Sequence, residues 1–218
     1  MNKSSWEIIA QLKNKSSQRN IAGMAKFGIT TKKAFGVSVS ELRKMAKEIG
    51  KNHQLALKLW DTGYHEAKIL ASLIDQVEEV DEKQMDKWVG DFDSWDICDT
   101  VCGSLFDKTS FAYKKALKYT FDKREFVKRA GFVIFTWLVV HDKKTGDKIF
   151  ADFLDIIERE AKDERNFVKK AVNWSLRQIG KRNGNLRKLA IKKAKQIEKQ
   201  ESQSARWIAK DALRELEK

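Results

Sequence analysis

Not one proline interrupts the 218 residues of this chain, where average usage would put about ten. Proline ends helices by removing an amide donor and clashing with the preceding turn, so its absence removes the strongest local break. Glycine, the next strongest, occurs only 11 times. Apolar residues recur at helical spacing almost end to end, and no stretch sustains the alternation of a half-buried strand. The pattern predicts helices over 4–13, 15–25, 38–49, 51–60, 64–76, 81–91, 94–106, 109–119, 123–140, 145–162, 165–180, 184–199 and 203–217. Ser38 (with Glu41), Asp81, Ser94, Thr109 and Ser202 stand where side-chain oxygens cap helix starts. Gly50, Gly63 and Gly180 stand where helices stop. The apolar run Phe132–Val140 is the one place a strand could sit; its flanks, Lys128-Arg129-Ala130 and His141-Asp142, favour a buried helix.

The helices resemble one another. Phe126-Val127-Lys128-Arg129-Ala130 returns as Phe167-Val168-Lys169-Lys170-Ala171, Leu176-Arg177 as Leu213-Arg214, and His65-Glu66-Ala67-Lys68 is a looser upstream copy. Repeats of about 35–45 residues, each a helix pair, mark HEAT or armadillo arrays. One pair cannot bury its own apolar face, so neighbours stack and the array curves. The expected fold is therefore all-α, a curved superhelical solenoid of HEAT-like antiparallel helix pairs. Residues 1–218 are expected to form one such domain.

The chain carries 44 Lys and Arg against 31 Asp and Glu, a net charge of +13, which suits a polyanionic partner. The excess is concentrated. Between Arg165 and Lys199 stand twelve bases, among them Lys169, Lys170, Arg177, Lys181, Arg182, Arg187, Lys188 and Lys192, against the single acid Glu198. Such a cluster neutralises phosphates, and the segment Gly180-Lys181-Arg182-Asn183-Gly184-Asn185 reads as a loop offering amides and cations to a backbone. The basic helices show no insertable aromatic face, and no apolar run reaches transmembrane length, so a membrane partner is not expected. No signal-peptide stretch is apparent, and Cys98 and Cys102, at i and i+4, form no disulfide framework. A cytoplasmic setting follows.

Asp91-Phe92-Asp93-Ser94-Trp95-Asp96-Ile97-Cys98-Asp99 places four carboxylates and two aromatics at one helix start. Trp95 and Asp99 lie four apart, hence on one face. Trp174 sits mid-helix beside Lys170 and Arg177, and Arg129 opens the apolar helix that follows Phe126. Acids also favour helix N-termini, and tryptophans also fill cores. His53, His65 and His141 are far apart and have no metal-ligand spacing, so neither metal nor cofactor is expected. There is no phosphate-cradling glycine loop and no nucleophile elbow.

These blocks resemble the AlkD-like family of DNA alkylation repair glycosylases, which are built from HEAT-like repeats. The resemblance runs through Ala34–Lys47, His65–Lys68, Ser94–Asp99, Phe126–Ala130 and Asn166–Arg177, in family order. It implies hydrolysis of the N-glycosidic bond of positively charged N3- and N7-alkylated purines in duplex DNA by a monofunctional, monomeric enzyme. It assigns Asp99 to steadying the oxocarbenium-like sugar, Trp95 and Trp174 to packing on it, and Arg129 with the basic stripe (Lys169, Lys170, Arg177, Lys181, Arg182) to phosphate. Phe27 is the candidate for an N-terminal aromatic that the family usually supplies as Tyr. The family is similar to readers of backbone and sugar that use no base-sized pocket. Two other functions fit the composition: a non-catalytic HEAT-like module binding DNA or RNA, and a protein-binding scaffold.

Overall fold

The computed structural model describes residues 3–218, which form thirteen α-helices, two short 3-10 turns and no strand. The helices are α1 (Ser5–Asn14), α2 (Gln18–Lys26), α3 (Val39–Ile49), α4 (His53–Asp61), α5 (His65–Ile74), α6 (Glu82–Gly90) and α7 (Trp95–Ser104). They continue with α8 (Ala112–Tyr119), α9 (Glu125–His141), α10 (Asp147–Glu160), α11 (Asn166–Arg182), α12 (Gly184–Ile197) and α13 (Gln203–Leu216). Every helix expected from periodicity is present, and the run 132–140 is helical, inside α9. Among the described residues no helix is long and apolar enough to cross a membrane.

The chain divides between Thr109 and Ser110 into two compact units. In the first, α3, α5 and α7 pack in series, α4 lies on α5, and α1 touches α4. Its core is a stack of Trp60 on Trp88, centroids 3.9 Å apart, with Phe92 and Phe106 tilted against them. In the second, α9, α11 and α13 pack in series, α8 lies on α9, and α10 and α12 lie on α11. Phe135 stacks on Phe153 at 3.5 Å in its core.

The two units keep different repeat lengths. Side-chain partners on neighbouring repeats are 31 residues apart in the first (Trp60–Asp91, His65–Asp96). They are 38 apart in the second (Asn173–Asp211, Arg177–Glu215). The first period is shorter than the sequence suggested, because α3 to α7 are only 9–11 residues long. Helices α9 to α13 run to 14–17.

Ser38, Asp81 and Ser202 cap α3, α6 and α13 as expected, and Gly50 ends α3 at φ 76°. Other boundary readings need correction. Thr109 donates its hydroxyl to the Phe106 carbonyl, and α8 starts only at Ala112. Ser94 precedes α7, but its hydroxyl goes to Asp96 and caps no amide. Gly180 does not end α11; it lies two residues inside its C-terminus, where a Cβ would stand 2.7 Å from a Leu216 methyl and 3.1 Å from Ala190. The glycine serves a close helix crossing, so segment 180–185 is no loop. Asn183 alone separates α11 from α12, and its side chain takes the Leu186 amide.

Gly131 makes an equally close approach, against backbone instead of side chains. A Cβ there would lie 2.7 Å from the Thr120 nitrogen and 2.8 Å from the Ala116 carbonyl oxygen, both backbone atoms of the α8 end. Overpacking of a core costs about 1–3 kcal/mol, and backbone yields less readily than side chains. Gly131→Ala should therefore destabilise by about 3 kcal/mol in chemical denaturation, against the gain in helix propensity. A midpoint equal to wild type would refute the close crossing.

Candidate active site

The acidic start of α7 divides by task. Asp91 accepts from the Trp60 indole at 2.9 Å, while its carbonyl accepts from the Lys68 ammonium at 3.0 Å. The Asp93 carbonyl takes the Thr30 hydroxyl. Asp96 accepts from Ser94 Oγ at one carboxylate oxygen and pairs with His65 Nε2 at 2.8 Å through the other. Burial pushes the Asp96 carboxyl up, but the hydrogen bonds from His65 and Ser94 outweigh it and hold the group below the ordinary aspartate range. Asp96 is thus a fixed anion. Asp99 lies one turn beyond Trp95 and, like it, is half-buried; Ile97 faces the other side of α7, and the buried Cys98 and Cys102 flank the pair.

Trp95 is held by its edge. Its Nε1 donates to the Phe27 carbonyl at 3.0 Å, and the Phe27 ring itself is 70% exposed. Both residues line a cavity of about 630 Å³ that also takes in Gly23 and Met24 of α2, Val37, Ile69, His65 and Asp96. Glu66 secures one wall. It is 1% exposed and accepts from the amides of Phe35 (2.9 Å), Gly36 (2.6 Å) and Val37 (3.2 Å). Gly36 must be glycine, with φ 75° and the Ser17 carbonyl where a Cβ would go. The block His65–Lys68 is therefore an anchoring block: three of its four residues tie other segments to α5.

Cys98 and Cys102 are buried and form no disulfide, and burial pushes the Cys102 thiol well above the usual range, so it has no thiolate character at neutral pH.

In the second unit, Lys170, Trp174, Arg177 and Lys181 fall at helical spacing along one face of α11. Trp174 is half-exposed and meets Trp137 edge to face at 5.4 Å; Trp137 in turn stacks on His141. The stripe is less one-sided in space than in sequence, because other helices bring acids to it. Arg177 pairs with Glu215 and Asp211, Lys181 with Glu215, and Lys193 with Asp155 and Glu158. Arg129 is 5% exposed, and its Nη1 donates to the Phe167 carbonyl. Arg182 donates to the carbonyls of Val139 and Thr145 and lies over the Phe150 ring. Both guanidiniums hold α9 and α11 together. Lys169 reaches over Trp207, whereas Lys170, Arg187, Lys188 and Lys192 are exposed or extend from the outer turns of α11 and α12. Sequence reasoning missed the His65–Asp96 pair and the Phe27 contact, since partners 31 and 68 residues apart leave no local signature.

Residues 8–216 match the family model described as DNA alkylation repair enzyme. No curated protein matches the chain. A solved structure described as "A new family of proteins related to the HEAT-like repeat DNA glycosylases with affinity for branched DNA structures" superposes with a TM-score of 0.82. It is 20% identical, and the match covers 97% of this chain and 95% of that one, so the two share a fold.

Proposed function

The chain belongs to the DNA alkylation repair enzyme family, and we propose that it hydrolyses the N-glycosidic bond of positively charged N3- and N7-alkylated purines in duplex DNA. One observation carries the reading. Asp99 and Trp95 lie one turn apart on α7, neither fully buried, and Trp95 is held through its Nε1 by the Phe27 carbonyl.

An alkylated purine already carries positive charge, so it leaves with the bonding electron pair and becomes neutral without a general acid. The charge passes to the sugar, which turns oxocarbenium-like as in other glycoside hydrolyses. Asp99 stabilises that cation and orients the water that adds to the anomeric carbon, and the surplus proton of that water passes to solvent. Trp95 covers the sugar and excludes bulk water. Trp174 packs on DNA from the second unit, on the helix that carries Lys169, Lys170, Arg177 and Lys181. Arg129 and Arg182 position that helix, and the exposed cations of α11 and α12 take phosphates. The test is release of 7-methylguanine from methylated duplex DNA, followed by chromatography. Absence of release above the spontaneous rate would rule the reading out.

A second reading, non-catalytic binding of branched DNA, is favoured by the affinity described for the similar solved structure. It requires junction binding without base release.

Either way binding should be steeply salt-dependent. If Lys169, Lys170, Arg187, Lys188 and Lys192 neutralise about five phosphates, the log–log slope is about −4.5, or roughly 500-fold between 50 and 200 mM salt. Replacing Lys170 and Lys188 by Ala should flatten the slope by about two, read by fluorescence anisotropy. An unchanged slope would place the contacts elsewhere.

A further inference from the structure

Among the described residues, the large apolar side chains left in solvent are Trp6, Phe27, Phe121, Leu189 and Trp207. Scattered singly, such residues are ordinary. Trp207, 41% exposed on α13, is set apart by its neighbours. The Lys169 ammonium lies 5.1 Å from its ring centroid. Gln203, Trp207, Lys210 and Arg214 form one exposed stripe at helical spacing, and Arg206 and, on α11, Lys170 are exposed as well. The acids nearby are engaged. Asp211 pairs with Arg177 and Arg214, and Glu164 accepts from the Ser202 hydroxyl and the Ser204 amide. The other exposed rings are set differently. Glu7 follows Trp6, and Asp122 follows Phe121, whose covering Arg159 pairs with Glu160. Phe27 belongs to the cavity beside Trp95.

An exposed indole among cations matches the two parts of a nucleic-acid strand, a flat base and a charged backbone. A base offers its flat face only when it is unpaired, because in a duplex its stacked neighbours cover it. The partner that fits is therefore a single strand. A cation resting on an exposed ring is held weakly, so Lys169 can pass from the ring to a phosphate as a base arrives.

We propose that Trp207 is a stacking platform for an unpaired base of single-stranded DNA, with Lys169 and Lys210 taking the adjoining phosphates. No base leaves a duplex to reach it, and binding there does not depend on base excision. The platform tolerates any sequence, since every base has a flat face. It gives the protein a hold on DNA wherever a duplex gives way to a single strand.

The probe is an oligothymidylate of about ten nucleotides, compared with a blunt duplex by fluorescence anisotropy on the full chain. Trp207→Ala should weaken oligothymidylate binding by about tenfold or more and leave duplex affinity within about threefold. Its salt slope on the single strand should match wild type, because the change removes a stacking face and no charge. Trp207→Phe should restore binding to within about threefold of wild type, since the phenyl ring still stacks. Lys210→Ala should flatten the single-strand slope by about 0.7, the share of one phosphate. Irradiation of the oligonucleotide carrying 5-iodouracil should crosslink the tryptic peptide that begins at Trp207, which locates the base without any substitution. A Trp207→Ala protein that binds the oligothymidylate as wild type does, or a crosslink that maps elsewhere, overturns the assignment. So does slower release of 7-methylguanine from blunt methylated duplex by Trp207→Ala with single-strand binding unchanged, which would put the ring on the duplex. Stacking at Trp207 in a wild type that releases no base sinks the glycosylase reading and retains the platform.

Discussion

Asp99→Asn should slow release of 7-methylguanine by about 10²–10³-fold, the range seen when one preorganised electrostatic contact to a transition state is removed. The substitution keeps size and hydrogen-bonding reach and removes the charge. The charge is what the reaction uses: the sugar gains positive character only as the bond breaks, so Asp99 acts on the transition state more than on bound DNA. Duplex affinity should consequently stay within a few-fold of wild type, or rise slightly, because one anion is removed from a phosphate-binding protein. Single-turnover release with saturating enzyme separates the two effects. Asp99 is half-buried on α7 and asparagine keeps its volume, so the melting temperature should move little. An Asp99→Asn protein that excises at the wild-type rate would remove Asp99 from the mechanism and shift attention to Asp96.

The fold was legible because helical propensity, periodicity and the missing proline all point the same way along the chain. Where a residue's role depends on a distant partner, the sequence misled. Gly180 looks like a helix stop, and only the position of Leu216 and Ala190 shows that it is a crossing point. The basic run 165–199 looks unopposed, since Asp211, Glu215, Asp155 and Glu158 come from other helices. Trp95 and Asp99 could be paired from their spacing alone. The cavity beside Trp95 could not, because α2, the 35–37 segment, α5 and α7 each contribute only a few of its residues.

Glu66→Gln should lower the melting temperature by about 6–16 °C. Glu66 is a fully enclosed carboxylate whose two oxygens serve three consecutive backbone amides, those of Phe35, Gly36 and Val37. Hydrogen bonds to a charged group contribute about 1.5–3 kcal/mol each, and a buried donor left without a partner costs about 1–3 kcal/mol. The glutamine has one acceptor oxygen in place of two, and its NH₂ group meets N–H groups. Relaxation of the 35–37 segment recovers part of the loss, which leaves about 3–4 kcal/mol, and each kcal/mol is worth about 2–4 °C in a chain of this size. The effect should also reach the site. Gly36 and Val37 form part of the cavity wall beside Trp95, so base release should slow in the folded protein well below the new melting temperature. Salt dependence of DNA binding should not change, because the exposed cations of α11 and α12 lie in the other unit. A melting temperature within 2 °C of wild type would mean that those amides find other partners, and that Glu66 does not hold the wall.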